Sequence, residues 1–320
     1  MTHLNIKKYF LILSGFLLFS QVYSQQAPVF TQYNSALMYF NAGRAGLGKG
    51  ICADALIRQQ WVGFKDANGN AVSPQDFLIT IDSPVKWIKG GLGASILQDK
   101  AGFESNVVLQ LAYSYHLHLN DGVMGIGAGI NLTNRSIDFS KFIPVQSNDP
   151  VLLSGKPGDM LIDANVGVFY KSNKRYYAGF SVTNLFKSTG KNLSTAGQAI
   201  HYRTDRTFYF ISGYVFSIPG KPEYQIEPSL LIQSDLKSTQ YNLTTVVTYK
   251  NKFWGGLHYR LQESVGIMVG IKIKDIKIGY SYDLPTLPVG LAGSHEISIR
   301  YCFKIKTEKT NTKYKNTRYL

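Results

Sequence analysis

From residue 50 onward the sequence repeats with a period of two: runs of about ten residues alternate apolar and polar side chains, separated by Gly, Pro, Asn, Asp and Ser. Val265, Ile267, Val269, Ile271 and Ile273 share one face, while Gly266, Gly270, Lys272 and Lys274 take the other. Ile276, Ile278, Tyr280 and Tyr282 likewise oppose Lys277, Gly279, Ser281 and Asp283. Val107, Leu109, Leu111, Tyr113, Tyr115 and Leu117 form a third apolar stripe, backed by Gln110, Ser114, His116 and His118. A helical repeat of 3.6 cannot produce such faces, so each run reads as a strand with one apolar and one polar side.

Composition narrows what those strands build. Charged residues make up 17% of the 320 residues, against about a quarter in an ordinary soluble domain. Beyond residue 20 no run approaches the ~20 apolar residues of a spanning helix, which excludes a helical membrane protein. Strands are expected near 51–61, 76–83, 91–98, 104–118, 122–134, 160–171, 175–186, 206–217, 223–233, 239–250, 252–260, 264–273, 275–284 and 294–303. This even set of about 14 predicts an all-β fold, a transmembrane antiparallel β-barrel.

Connection lengths agree with that reading, because such barrels have short periplasmic turns and longer outside loops. The odd connections are mostly long (62–75, 135–159, 187–205 and 285–293) and the even ones mostly tight (119–121, 172–174, 251 and 274–275). A medium turn at Pro84–Gly90 on the periplasmic side and a tight one at Leu261–Glu263 outside are exceptions that weaken the pattern without reversing it. A soluble sandwich would share the alternation, but the aromatics near strand ends (Tyr176, Tyr177, Phe186, Phe216, Tyr249, Phe253, Trp254, Tyr282) read as interfacial girdles.

The N-terminus resembles a secretory signal peptide. Lys7 and Lys8 precede an apolar run from Tyr9 to Phe19, and Val22-Tyr23-Ser24 offers small residues for cleavage. The expected organisation is a cleaved signal peptide at 1–24, an N-terminal periplasmic segment leading into the barrel at 25–50, the outer-membrane barrel at 51–303 and a basic periplasmic tail at 304–320. The tail carries Lys304, Lys306, Lys309, Lys313, Lys315 and Arg318 against Glu308, and so holds part of the net +14. The remaining basic surplus suits anionic lipid headgroups or an acidic partner, and no nucleic-acid partner is expected of a secreted barrel.

Cys52 begins the first strand and Cys302 ends the last, and closing a barrel pairs those strands. Both are expected to point inward near the periplasmic rim, either as a disulfide of an oxidising compartment or as two unrelated small residues. Catalytic chemistry finds no support: no nucleophile motif occurs, and Asp82, Asp159, Asp163 and Asp205 lack the spacing of a catalytic pair. His116 and His118 share a face but have no Cys or carboxylate beside them for a metal, so they read as lumenal polar residues. Gly125-Ile126-Gly127-Ala128-Gly129 lacks the lysine of a phosphate loop and reads as small lumenal residues. No enzyme, cofactor or metal site is expected.

Several segments carry a family resemblance. These are QAPVFTQYNSALMYFNAGRAG at Gln26–Gly46, Arg58-Gln59-Gln60-Trp61-Val62-Gly63, the stretch from Pro74 to Ile81-Asp82-Ser83-Pro84, Gly91-Leu92-Gly93, the Gly102 turn and Ser294-His295-Glu296-Ile297-Ser298. Together they resemble the PorP/SprF family, outer-membrane proteins associated with the type IX secretion system of Bacteroidota. Arg58, Gln60, Trp61, Gly63, Pro84 and His295 are the family-motif residues, and the Arg58-Gln59-Gln60-Trp61 segment followed by the Ser83-Pro84 turn carries most of the likeness. The usual Asn-Pro-Ala near the start reads Asn41-Ala42-Gly43 here, and the tail after Phe303 is a second departure.

The resemblance implies a protein of the cell outer membrane that assists export or surface attachment of particular cargo, such as large gliding-type adhesins. Its implied partners are outer-membrane lipid, type IX secreted cargo, and translocon or periplasmic ring components. A general porin or small-molecule uptake channel is the alternative, and an outer-membrane lipase or protease ranks behind both.

Overall fold

Lipid offers the backbone no hydrogen-bond partners, so strands survive there only if the sheet closes on itself. The computed structural model describes residues 27–48, 50–66, 68–142, 155–173, 175–191, 202–286 and 292–304. The expected signal peptide and the tail beyond Lys304 lie outside the described residues.

The strands are β1 (Gly50–Gln59), β2 (Gln75–Val85), β3 (Gly90–Ala101), β4 (Glu104–Leu119), β5 (Gly122–Ile137), β6 (Gly158–Ser172), β7 (Tyr176–Thr183), β8 (Thr207–Tyr214), β9 (Phe216–Ile218), β10 (Lys221–Ser234), β11 (Thr239–Tyr249), β12 (Phe253–Arg260), β13 (Ser264–Ile273), β14 (Ile276–Pro285) and β15 (Ser294–Lys304). Each runs antiparallel to its neighbour in the sheet, and β15 returns to β1. Both β8 and β9 pair with β10, with a register shift between Lys221 and Gln225, so together they make one stave. The result is a closed 14-strand antiparallel barrel, in which the expected strands differ from the observed ones by a few residues at their ends.

The two faces separate as the alternation requires. Ile57, Ile79, Ile96, Leu111, Ile130, Val168, Phe180, Leu243, Ile267, Val269 and Ile299 are exposed on the outside, a belt that only lipid can cover. Asp54, Arg58, Asp82, Gln110, Asn131, Asp163, Asn242, His258, Arg260, Asp283 and Glu296 are buried on the inside. Trp87, Tyr176, Tyr214, Phe216 and Phe253 remain exposed near the short-turn rim, as a headgroup-level girdle would. Two residues assigned to that girdle belong elsewhere. Trp254 is buried on the inner face next to Lys277, and the Tyr177 hydroxyl donates inward to Glu227. Each directly follows an outward aromatic, so period two turns it into the lumen.

The seam carries a covalent bond. Cys52 and Cys302 are register partners across β1 and β15, their Cα atoms lie 4.1 Å apart and their sulfurs are bonded. A bond that joins residues separated by 250 positions restricts the unfolded chain severely, an effect typically worth about 2–4 kcal/mol. The double variant Cys52→Ser/Cys302→Ser should therefore unfold at a lower temperature in detergent. Heat-denatured wild type should migrate faster on non-reducing than on reducing gels, whereas the variant should migrate identically on both; equal wild-type mobility would show that the bond does not form.

Candidate functional site

The segment expected to lie in the periplasm ahead of the barrel lies, over its described residues 27–48, inside the lumen. It consists of a 3-10 turn (Tyr33–Ser35), a single helical turn α1 (Leu37–Phe40) and another 3-10 turn (Ala42–Arg44). The cause is hydrophobic. Val29, Phe30, Tyr33, Ala36 and Phe40 are almost fully buried, seated against Leu56, Leu78, Leu97, Phe169, Tyr209, Ile211 and Leu231 on the inner wall. Burying a large apolar side chain such as Phe30 or Phe40 is worth about 1.5–3 kcal/mol, which the periplasm would forfeit.

Polar contacts fix the path. At the long-loop end Gln233 Nε2 donates to Ala27 O at 3.1 Å, and Arg58 Nη1 and Arg260 Nη2 both donate to Val29 O at 2.9 and 2.7 Å. The Glu296 carboxylate accepts from Thr31 N and Gln32 N, each at 2.8 Å, while the Thr31 hydroxyl donates to Asp283. Ser298 Oγ donates to Gln32 Oε1 at 2.6 Å, and Tyr33 Oη lies 3.0 Å from Ser229 Oγ.

Deeper in the lumen, Asn41 Nδ2 donates to Val168 O and Phe180 O. At the short-turn end Gly46 N donates to Asp82 Oδ2 at 2.8 Å, and the Arg44 guanidinium lies 3.8 Å from the same carboxylate. The segment thus descends the lumen from the long-loop rim to the short-turn rim before β1 turns upward.

The glycines read as small lumenal residues make this possible. A Cβ at Gly127 would lie 2.3 Å from Gly43 N, and one at Gly43 would lie 2.7 Å from Gly125 O. Asn41-Ala42-Gly43, the departure from the usual family triplet, supplies both the cap and the close approach: Asn41 Oδ1 accepts from Gly43 N at 2.9 Å. His116 Nε2 sits 2.9 Å from Ala45 O, a structural contact. Among the described residues no cluster of three or more His, Cys, Asp or Glu is placed to hold a metal.

The outer mouth is also furnished. Asp163 accepts from Phe186 N, Ser188 N and Thr204 Oγ1, and Asp159 accepts from Lys191 N, so two inward carboxylates hold the described flanks of the β7–β8 connection, residues 184–191 and 202–206, at the lumen. The Arg135 guanidinium lies 3.6 Å over the Tyr202 ring and 2.6 Å from Glu104. On the exposed loops, Lys237 Nζ donates to Asp205 at 2.8 Å, which raises the lysine above its ordinary range.

The motif residues separate into groups. Arg58, Gln60 and Trp61 line one recess at the long-loop rim with Glu263, Ser264, Asp283, Pro285 and Ser294. Trp61 N donates to Ser294 Oγ at 3.3 Å, and its ring meets Phe64 edge-on. Gly63 adopts φ +83° in the same turn, a conformation that favours glycine. His295, beside the recess, is on the outer face, with Nδ1 2.6 Å from Tyr280 Oη and its ring 5.0 Å from that of Tyr282. Pro84 is not brought to this group: it pairs with Gly91 at the opposite rim. Glu296, Arg260 and Asp283, central to holding the segment, were not singled out from the sequence. Their signal was there, as charges on the inward face of strands whose other face is apolar.

An outer-membrane barrel filled by its own N-terminal segment is therefore the class that fold and site define. The sequence matches the family described as type IX secretion system membrane protein PorP/SprF over residues 22–301, and the chain belongs to that family. No curated protein matches it. Among solved structures, the CymD monoaromatic hydrocarbon channel is 11% identical with a TM-score of 0.50, covering 88% of this chain and 95% of that one. The Ralstonia pickettii toluene transporter TbuX is 15% identical with a TM-score of 0.49, covering 84% and 94%. A Pseudomonas aeruginosa FadL homologue is 10% identical with a TM-score of 0.46, also covering 84% and 94%. At these identities the likeness is one of fold alone.

Glu296→Ala should loosen the upper part of the segment, since each amide left without its acceptor costs about 1–3 kcal/mol. Hydrogen exchange over residues 27–36 should accelerate by tenfold or more, roughly what 1.4 kcal/mol allows, while strand amides on β4–β6 stay protected; unchanged exchange at 27–36 would contradict the assignment. Gly127→Val should force the Ala42–Gly43 backbone off the wall and expose the lower part of the segment, read as faster exchange over residues 40–46.

Proposed function

We propose that this protein is a non-catalytic outer-membrane component of type IX secretion that assists export or surface attachment of a particular large client, such as an adhesin. The observation that carries the reading is the family match, which spans nearly the whole barrel and the segment inside it. The interior supports the same reading: a general diffusion pore needs a continuous wet path, whereas this lumen is crossed by buried Phe30, Tyr33 and Phe40. The implied partners are the client itself and translocon or periplasmic ring proteins.

Deletion of the gene followed by quantitative surface proteomics tests this. Loss of one or a few large surface proteins is the expected outcome, with the remaining type IX cargo unaffected. Loss of every type IX cargo would instead make the protein a core part of the machine, and unchanged secretion would overturn the proposal. In planar bilayers the purified full-length barrel should conduct ions far less than a porin of similar strand number; porin-like conductance would favour the uptake-channel reading.

A further inference from the structure

The upper half of the lumen holds a concentration of charge that faces both the barrel wall and the segment inside it. Arg58, Arg260, Asp283 and Glu296 are at least nine-tenths buried, on β1, β12, β14 and β15. Their strands are already held by continuous ladders, and burying charge is costly unless it finds good partners. Some of the partners of these side chains are on the barrel itself, since Arg260 donates to Asn242 Oδ1 and Glu263 and Arg58 lies 3.9 Å from Asp76. The others are the backbone of one short stretch, with two guanidiniums on the Val29 carbonyl and one carboxylate on the consecutive amides of Thr31 and Gln32.

Such backbone groups are offered by almost any polypeptide. Side-chain preference is layered on top, with an apolar seat for Val29 and Phe30, Asp283 for the Thr31 hydroxyl, and Ser298 for the Gln32 amide. The resident stretch also leaves capacity unused: Arg58 Nε, Asp283 Oδ1 and Gln233 Oε1 are buried without a hydrogen-bond partner among the described residues. The recess lined by Arg58, Trp61 and Asp283 adjoins the same place at the long-loop rim.

We propose that this cluster is a binding site for a polypeptide segment, that residues 27–32 are its resident occupant, and that a client segment of the pattern apolar-apolar-Thr-Gln exchanges with them. The identity of the exchanging partner rests on the secretion role proposed above; the binding site itself does not. The resident stretch contributes no ladder hydrogen bond to the barrel, and its covalent link to the wall is far below, at β1, so it can leave while the sheet stays closed.

The test uses the full chain in detergent and a fluorescent synthetic peptide of residues 27–36. Phe30→Asp should eject the resident stretch while leaving every wall residue intact. The variant should then bind the peptide, measured by anisotropy, while wild type with its site filled should not. Adding Glu296→Ala should weaken that binding at least about tenfold, and exchanging Thr and Gln of the peptide for Ala should weaken it further. No binding to Phe30→Asp, with the barrel shown to be folded by heat-modifiable migration, overturns the proposal, as does binding that ignores Glu296→Ala. If Phe30→Asp does not fold, a chain lacking residues 27–32 serves with the same two outcomes. Because the peptide assay involves no secretion, a client-export failure and a binding-site failure give separate results.

Discussion

Every feature of this molecule depends on the rule that backbone hydrogen bonds in hydrocarbon must be made within the protein. An open sheet would leave two strand edges in lipid, and the chain avoids this by bringing β15 back to β1 over ten register pairs from Gly50↔Lys304 to Gln59↔His295. Once the sheet is closed, period two forces each strand to present one face to lipid and the other to the interior. The disulfide between Cys52 and Cys302 lies on that closing seam, where it ties together the two strands that are most distant in the chain.

Closure creates a second constraint. A barrel of this size has an interior too wide for wall side chains alone to fill as an apolar core, and its inward residues are largely polar. Here the interior is completed by residues 27–48, which bring apolar side chains to an apolar patch and backbone groups to charged ones. The division of labour is visible along the segment: Phe30 and Phe40 supply burial, while Glu296, Arg58 and Asp82 hold the backbone.

The wall was readable from the sequence because alternation is a local signal repeated in every strand. The seam was readable because closure necessarily joins the first strand to the last, which turns two distant cysteines into neighbours. The segment inside the lumen was not, since two 3-10 turns and one helical turn have no period to detect. Two signals nonetheless pointed to it. Leu56, Leu78, Leu97 and Leu231 are apolar residues on what should be the wet face, and Gly125 and Gly127 vacate space that a porous lumen would not need vacated. Together with the apolar run Leu37-Met38-Tyr39-Phe40, which the periplasm would leave in water, they describe a seat and its occupant. The positions of Arg58 and Trp61 within one recess, with Pro84 at the far rim and His295 facing lipid, likewise required the register to be known.

The direction in which the segment runs has a consequence for the chain as a whole. Fourteen staves are an even number, which by themselves would return the polypeptide to the side from which it set out. The descent from Ala27, held by Gln233 near the long-loop rim, to Gly46, held by Asp82 near the short-turn rim, adds one further transit through the thickness of the bilayer. The total becomes odd, and the two ends of the described stretch, Ala27 and Lys304, sit at opposite rims of the barrel, so that residues far apart in one wall-and-plug unit are presented to both sides of the membrane.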